Sequence, residues 1–278
     1  MRSVLRKRLI INADDFGLSP AVTAGILEAH AAGSVTSTSM MVRCAGWDDA
    51  VRQARATASL GVGLHVNLLV GAPLTSARTL TDPRDGRYLP LATVVRRALR
   101  RAINAGEVVA ECEAQLAALR AEGIRVTHLD SHRHTHALPV IRGAVARVAA
   151  RHGLPLRRPV ESARWFPLDV VSQLHRQVVA WSWRLTTPGA SRTRACDHFI
   201  GVSMQGGERF PERVLAVLDR LPNGTTELMV HPGRVDDLLR GVDRYTWQRE
   251  RELEGLVSPG VRERLRRGDF SLIGFGAL

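Results

Sequence analysis

Two adjacent aspartates, Asp14 and Asp15, stand where an apolar run, Arg8 to Ala13, comes to an end. Neighbouring carboxylates repel unless their roles are separated, and a divalent cation bound to one while the other acts on a water would separate them. The competing reading is a helix start near Pro20, for which Ser19 is already a suitable cap. Farther on, His128-Leu129-Asp130-Ser131-His132-Arg133-His134-Thr135-His136 holds four of the ten histidines in nine residues. Packing does not account for that density. Neutral imidazole is the common nitrogen ligand of divalent metals, so a metal site is expected here. His128 and His132, or His132 and His136, would share a face if the segment were helical, whereas Val126 to Leu129 reads as a strand that ends near Asp130. His132 belongs to both pairings and lies just past that strand end, which makes it the first choice of ligand. His65, between Leu64 and Val66 in an apolar run that continues to Asn67, reads alone either as a hydrogen-bonded core residue or as a ligand. His231 precedes Pro232 and Gly233, where a fixed turn and a close backbone approach are expected, and reads either as structural or as an acid/base group.

The elements that must position these side chains follow from hydrophobic patterning. About eight short apolar runs appear: Arg8 to Ala13, Val35 to Val42, Val62 to Leu69, Arg125 to Leu129, Leu154 to Val160, His198 to Ser203, Glu227 to Val230 and Phe270 to Phe275. Helix-like stretches lie between them, at Pro20 to Ala32, Trp47 to Ala58, Leu91 to Arg120, Ala137 to His152, Leu168 to Arg184, Pro211 to Leu221 and Tyr245 to Gly255. Alternation of this kind predicts an α/β chain with a mostly parallel sheet, a (β/α) barrel that is irregular or incomplete, in a single catalytic domain over residues 1–278; an open doubly wound sheet is the alternative. The Asp pair, His132 and His231 all fall where apolar runs close. In a (β/α) barrel the carboxyl ends of the strands converge on one face, where active sites are built. Gly71 to Gly86 is dense in turn formers and reads as a loop, with an active-site flap as one use.

The 278 residues, 45% hydrophobic, are enough for one large core. The apolar stretch after the basic start, Leu9-Ile10-Ile11, is stopped at once by Asn12, Asp14 and Asp15, too short for a signal peptide. No window reaches the roughly 18 apolar residues of a membrane span, so a soluble protein is expected. Three cysteines, Cys44, Cys112 and Cys196, without Cys-x-x-Cys spacing suggest neither a disulfide framework nor a thiolate zinc site and fit a reducing cytoplasm. The formal net charge of +12 favours anionic surfaces, but Lys7 is the only lysine, and an arginine bias of this kind also follows from a GC-rich genome.

Taken together, Asn12-Ala13-Asp14-Asp15-Phe16-Gly17, Gly63-Leu64-His65, Thr127-His128-Leu129-Asp130-Ser131-His132 and His231-Pro232 resemble the motifs of the YdjC-like family of carbohydrate deacetylases, which includes chitooligosaccharide and hopanoid-associated deacetylases. The resemblance implies a single divalent metal held by Asp15, His65 and His132, with Asp14 as general base and His231 as proton donor to the departing amine. Zinc is favoured, with magnesium as the alternative. Asp130 is placed to orient a ligand histidine or to enter the site itself, and His128, His134, His136 and Asn67 are further candidates for supporting the ligands or touching substrate. The implied partner is an N-acetylated sugar, on an oligosaccharide or a lipid, hydrolysed to acetate and a free amine.

One segment invites a separate reading. Leu168, Val171, Leu174, Val178, Trp181 and Leu185 repeat at helical spacing, with Arg157, Arg158, Arg164, Arg176, Trp183, Arg184, Arg192 and Arg194 nearby. A barrel helix packed on the sheet explains the stripe; the sharper expectation is a peripheral contact with an anionic membrane that carries a lipid-linked substrate. Two rival functions stand beside the deacetylase. A metal-dependent phosphoesterase of barrel fold would use similar Asp and His clusters, commonly with two metals. A nucleic-acid-binding protein would use the charge but leaves the histidine cluster unexplained, so nucleic acid is disfavoured as a partner.

Overall fold

The protein is described by a computed structural model at residues 7–162, 177, 179–184, 193–205 and 209–278. Among these residues seven strands form one parallel sheet: β1 (Lys7–Phe16), β2 (Ser37–Met40), β3 (Gly61–Val66), β4 (Val126–Ser131), β5 (His198–Ile200), β6 (Gly224–Val230) and β7 (Ser271–Leu272). Their order is β4-β3-β2-β1-β6-β5, with β7 paired to the start of β1. The helices are α1 (Pro20–Ala31), α2 (Trp47–Ala56), α3 (Leu91–Leu99), α4 (Ala105–Ala121), α5 (Ile141–Arg151), α6 (Phe210–Asp219), α7 (Asp237–Val242), α8 (Trp247–Val257) and α9 (Pro259–Arg266). The sheet curls into an incomplete (β/α) barrel, as the alternation of runs predicts.

The local chemistry explains most boundaries. Ser19 accepts the N–H of Val22 and Pro20 opens α1, so the helix cap is indeed Ser19 and neither aspartate is needed for it. The single helix expected over Leu91 to Arg120 is two: Arg101 takes φ 54°, and Asn104 then caps α4 by accepting the N–H groups of Gly106 and Glu107. The expected strand at Leu154 to Val160 forms no ladder. Pro155 and Pro159 cannot donate, and the segment instead makes single bridges, from Leu156 to Leu129 of β4 and from Glu161 to Phe199 of β5, between the two edge strands. The Gly71 to Gly86 loop is bound down onto α4: Glu111 accepts from the N–H groups of Leu74 and Thr75 and from the Tyr88 hydroxyl, and Glu107 accepts from Thr79.

Strand alternation sorts side chains between two environments. Leu9, Ile11 and Ala13 of β1 join the main core with Val22 and Ile26 of α1. Ile10 faces the other way and packs with Cys196 and Phe275, and Asn12 and Asp14 follow it at two-residue steps along the barrel interior. Two bulges interrupt this order. Ala13 to Phe16 of β1 spans three steps against two on β2, Thr38 to Met40. Val126 to Leu129 of β4 likewise spans three against the two from Val62 to Leu64. Such a bulge re-aims side chains beside active sites.

Of the tryptophan-bearing segment, residues 179–184 are helical. Trp181 is 62% exposed, whereas Trp183 packs on the core beneath the Arg142 guanidinium, 3.8 Å from its ring centre. Leu168, Val171, Leu174, Val178, Leu185, Arg164, Arg176 and Arg192 lie outside the described residues. Arg157 does not belong to this basic surface: it is fully buried in the barrel. No helix among the described residues is long and apolar enough to cross a membrane.

Candidate active site

The β1 bulge decides the first feature of the site. In a regular strand Asp14 and Asp15 would point to opposite faces; with Asp15 at φ 73° both carboxylates reach the same end of the barrel, and both are 2% exposed. A left-handed aspartate inside a buried strand end stores strain of about 1–3 kcal/mol, which the surrounding contacts must hold. The turn after β4 shows the same pattern, with Arg133 and His134 consecutively left-handed at φ 52° and 54°. A cavity of ≈130 Å³ opens at this end, with Asp14, Asp15, His65, His132 and His231 in its wall.

Asp15, His65 and His132 meet there. Asp15 Oδ1 lies 2.8 Å from His132 Nδ1 and 3.2 Å from His65 Nε2, and the three donor atoms all fall within 4.8 Å of one another. The far atoms of two of them are engaged elsewhere: His65 Nδ1 lies 2.7 Å from Asp130 Oδ1, and Asp15 Oδ2 accepts from Arg249 Nη2 at 2.6 Å. Two imidazoles and one carboxylate make a donor set that fits a divalent ion, with the outer contacts of His65 and Asp15 fixing their orientation. Asp130 thus sits behind His65. Burial alone would lower His65, but the Asp130 and Asp14 charges raise it to about 10; burial would raise Asp15, but the His132 and Arg249 charges hold its carboxyl well below the usual carboxylate range.

Asp14 is held differently. Arg157 grips it bidentately, Nη1 to Oδ2 and Nη2 to Oδ1, both at 2.6 Å, while Asn12 Nδ2 donates to Oδ1 at 2.9 Å. His231 stands across from it, Nε2 at 4.0 Å from Asp14 Oδ2. The His231 backbone N–H donates to Glu252 Oε2 at 2.5 Å, and its ring is tilted against Tyr245, whose hydroxyl donates to the other oxygen of Glu252. The strand end that carries His231 is pressed onto α1, where a Cβ on Gly25 would lie 2.6 Å from the Cα of Gly233.

The remaining candidates separate by place. His134 lines the cavity with its ring edge-on to Phe199. His136 is buried with Nδ1 2.6 Å from Ser131 Oγ and Nε2 3.2 Å from the Arg157 carbonyl, and burial pushes it down to about 3. His128 lies deeper in the barrel, stacked on Phe275 at 3.8 Å and pushed down to about 4 by burial; a Cβ on Gly63 would come within 2.3 Å of its ring. Asn67 closes its own loop: Oδ1 accepts from the N–H groups of Leu69 and Val70, and Nδ2 donates to the Val70 carbonyl.

Sequence reasoning did not find Arg157, Glu227, Asp243, Tyr245 or Arg249 as site residues. Arg157 Nε donates to Glu227 Oε1 at 2.7 Å, and Arg249 Nη2 donates to Asp243 Oδ2 at 2.9 Å as well as to Asp15. The signal for Arg249 lay in α8, where Arg249 and Glu252 share a buried stripe with Leu253 and Leu256. Arg157 gave a weaker one, a charge between Leu156 and Arg158 in a run read as strand.

Comparison with known proteins adds an independent line. A family model described as YdjC-like protein matches residues 8–267. A carbohydrate deacetylase of Brevibacillus brevis is 33% identical over 276 residues, covering 98% of this chain and 99% of the relative. The carbohydrate deacetylase of Homo sapiens is 34% identical over 298 residues, covering 96% and 90%. A crystal structure from Enterococcus faecalis V583, of a protein provisionally assigned to cellobiose-phosphate cleavage, aligns over 98% of both chains with TM-score 0.77 and 28% identity.

Proposed function

The chain belongs to the YdjC-like protein family, and from that membership we propose that it is a carbohydrate N-deacetylase that hydrolyses the acetamide of an amino sugar with one divalent ion held by Asp15, His65 and His132. The observation that carries this reading is the pair Asp14 and His231, 4.0 Å apart across a cavity whose next wall is the Asp15, His65 and His132 donor set. Asp15, His65 and His132 would hold one cation beside a base and an acid, the groups that amide hydrolysis needs.

When bound, the ion would lower the pKa of a water and polarise the acetamide carbonyl. The chain's own groups do the rest. Asp14, fixed by Arg157 and Asn12, accepts the proton of the attacking water. His231, held by Glu252 through its backbone and faced by Tyr245, donates a proton to the nitrogen as the C–N bond breaks. Acetate and a free amine leave. Asp130 and Ser39 hold His65 Nδ1 at 2.7 and 3.1 Å, which leaves Nε2 turned toward Asp15. Zinc suits two imidazoles and a carboxylate best, with magnesium next.

Acetate release from N-acetylglucosamine oligomers and from an N-acetylglucosaminyl lipid tests the reading, with wild type compared before and after chelation and with Asp14→Asn and His132→Ala. Release that needs the ion and is lost in both variants supports it, and the preferred acceptor names the substrate. No acetate from any acetamide by ion-loaded wild type would refute it.

A further inference from the structure

The buried end of the barrel contains a second set of cation donors. Asp14, His65 and Asp130 also bring one ligand atom each within 4.8 Å of one another, and His65 belongs to both sets, with Nε2 toward Asp15 and Nδ1 toward Asp130. Glu227, 1% exposed, stands behind them. Carboxylates gathered in this way are the usual setting of two-metal hydrolases, where the ions lie about 3.5–4 Å apart.

A guanidinium already occupies the second set. Arg157 is wholly buried, and three of its nitrogens reach three carboxylates: Nη1 lies 2.6 Å from Asp14 Oδ2 and 2.8 Å from Asp130 Oδ2, Nη2 lies 2.6 Å from Asp14 Oδ1, and Nε lies 2.7 Å from Glu227 Oε1. Its backbone is equally fixed, with the N–H donating to the Leu129 carbonyl at 3.0 Å and the carbonyl 3.2 Å from His136 Nε2. Arginine does not give up its proton in proteins, so this charge is permanent. Asp14, Asp130 and Glu227 are buried and each meets a nitrogen of Arg157, so a second ion between Asp14 and Asp130 would have to displace a fixed positive charge from carboxylates it already satisfies.

We propose that Arg157 is a built-in second cation, a positioning residue whose guanidinium takes the place of a second metal between Asp14 and Asp130 and so holds the site to one ion. The proposal rests on Asp15, His65 and His132 as the metal set but not on the substrate. It gives His136 a purpose, as the group that holds the Arg157 carbonyl. It also sets this site apart from two-metal phosphoesterases.

Metal stoichiometry tests it, read by elemental analysis and by cobalt(II) titration followed in the visible and by electron paramagnetic resonance. Wild type should stop at one ion per chain with no coupling between ions, even at millimolar cobalt. Arg157→Ala should take a second, spin-coupled ion, and millimolar guanidinium chloride should return it to one; Arg157→Lys should stay at one. Two ions in wild type would overturn the proposal, as would a folded Arg157→Ala that stays at one ion with and without guanidinium. Wild type that binds no ion would remove the metal set on which it stands. If Arg157→Ala does not fold, the wild-type titration alone decides between one ion and two. A one-ion enzyme that releases no acetate would leave this proposal standing while the deacetylase reading failed.

Discussion

The two ends of the barrel interior are built from the same strands and serve opposite ends. At the amino end Ile10, Cys196 and Phe275 pack together and Phe275 stacks on His128, a plug of rings and apolar side chains. At the carboxyl end the same faces of β1, β3 and β4 carry Asp14, His65 and Asp130, and the backbone around them is left-handed at Asp15, Arg133 and His134. A histidine at the lower end is kept neutral by burial, while one at the upper end is made basic by neighbouring carboxylates. The plug is apolar and closely packed, whereas the upper end accepts strain and clustered charge in return for chemistry.

Substitutions should split along that line. Asp14→Asn is expected to lower kcat/KM by about 10³-fold, as removal of the proposed general base should, with the fold retained by circular dichroism; a variant that unfolds instead would mean the upper end is structural too. Phe275→Ala should cost about 3–5 kcal/mol of stability in urea unfolding, yet keep kcat per folded molecule within about twofold, because Phe275 is 1% exposed and packs away from the cavity. A lost kcat in the folded variant would break the comparison.

Glu227 lies between the two ends and gives the pH dependence. Burial, with the Asp130 and Asp14 charges, pushes its carboxyl from 4.5 up to about 7 against the pull of Arg157. The native state therefore keeps a proton that the unfolded chain releases above pH 4.5. Its stabilisation is full below that pH, declines as pH rises toward about 7, and is flat beyond, a change of roughly 3 kcal/mol at most by linkage. Unfolding free energies of wild type and Glu227→Gln across this window should show the slope in wild type and its loss in the variant. The smallest effect is expected at Asn67→Ala, about 1 kcal/mol of stability from the lost loop hydrogen bonds with KM unchanged; a raised KM would place Asn67 in the substrate site.

Much of this arrangement was legible in the residues. The order of strands and helices and Ser19 as cap follow from periodicity and capping chemistry, and a parallel barrel brings its strand ends together wherever they lie in sequence. Asp15, His65 and His132 as one set came from the resemblance to the YdjC-like family, His65 alone being open to a structural reading. Four histidines in one segment could not be told apart in that way. His132 meets Asp15 and His134 lines the cavity, whereas His128 and His136 are buried against Phe275, Ser131 and the Arg157 backbone.

The sequence by itself determined which chemistry the chain carries: an Asp pair, a histidine cluster and their places at the ends of apolar runs. Only the tertiary structure decided how that chemistry is aimed. Adjacent aspartates face one site because β1 bulges against β2, and a one-residue change in pairing is a property of two strands together. Arg157 and Arg249 enter the site from segments 143 and 234 residues away from Asp14 and Asp15, drawn in by carboxylates whose burial has no compensation in the local sequence.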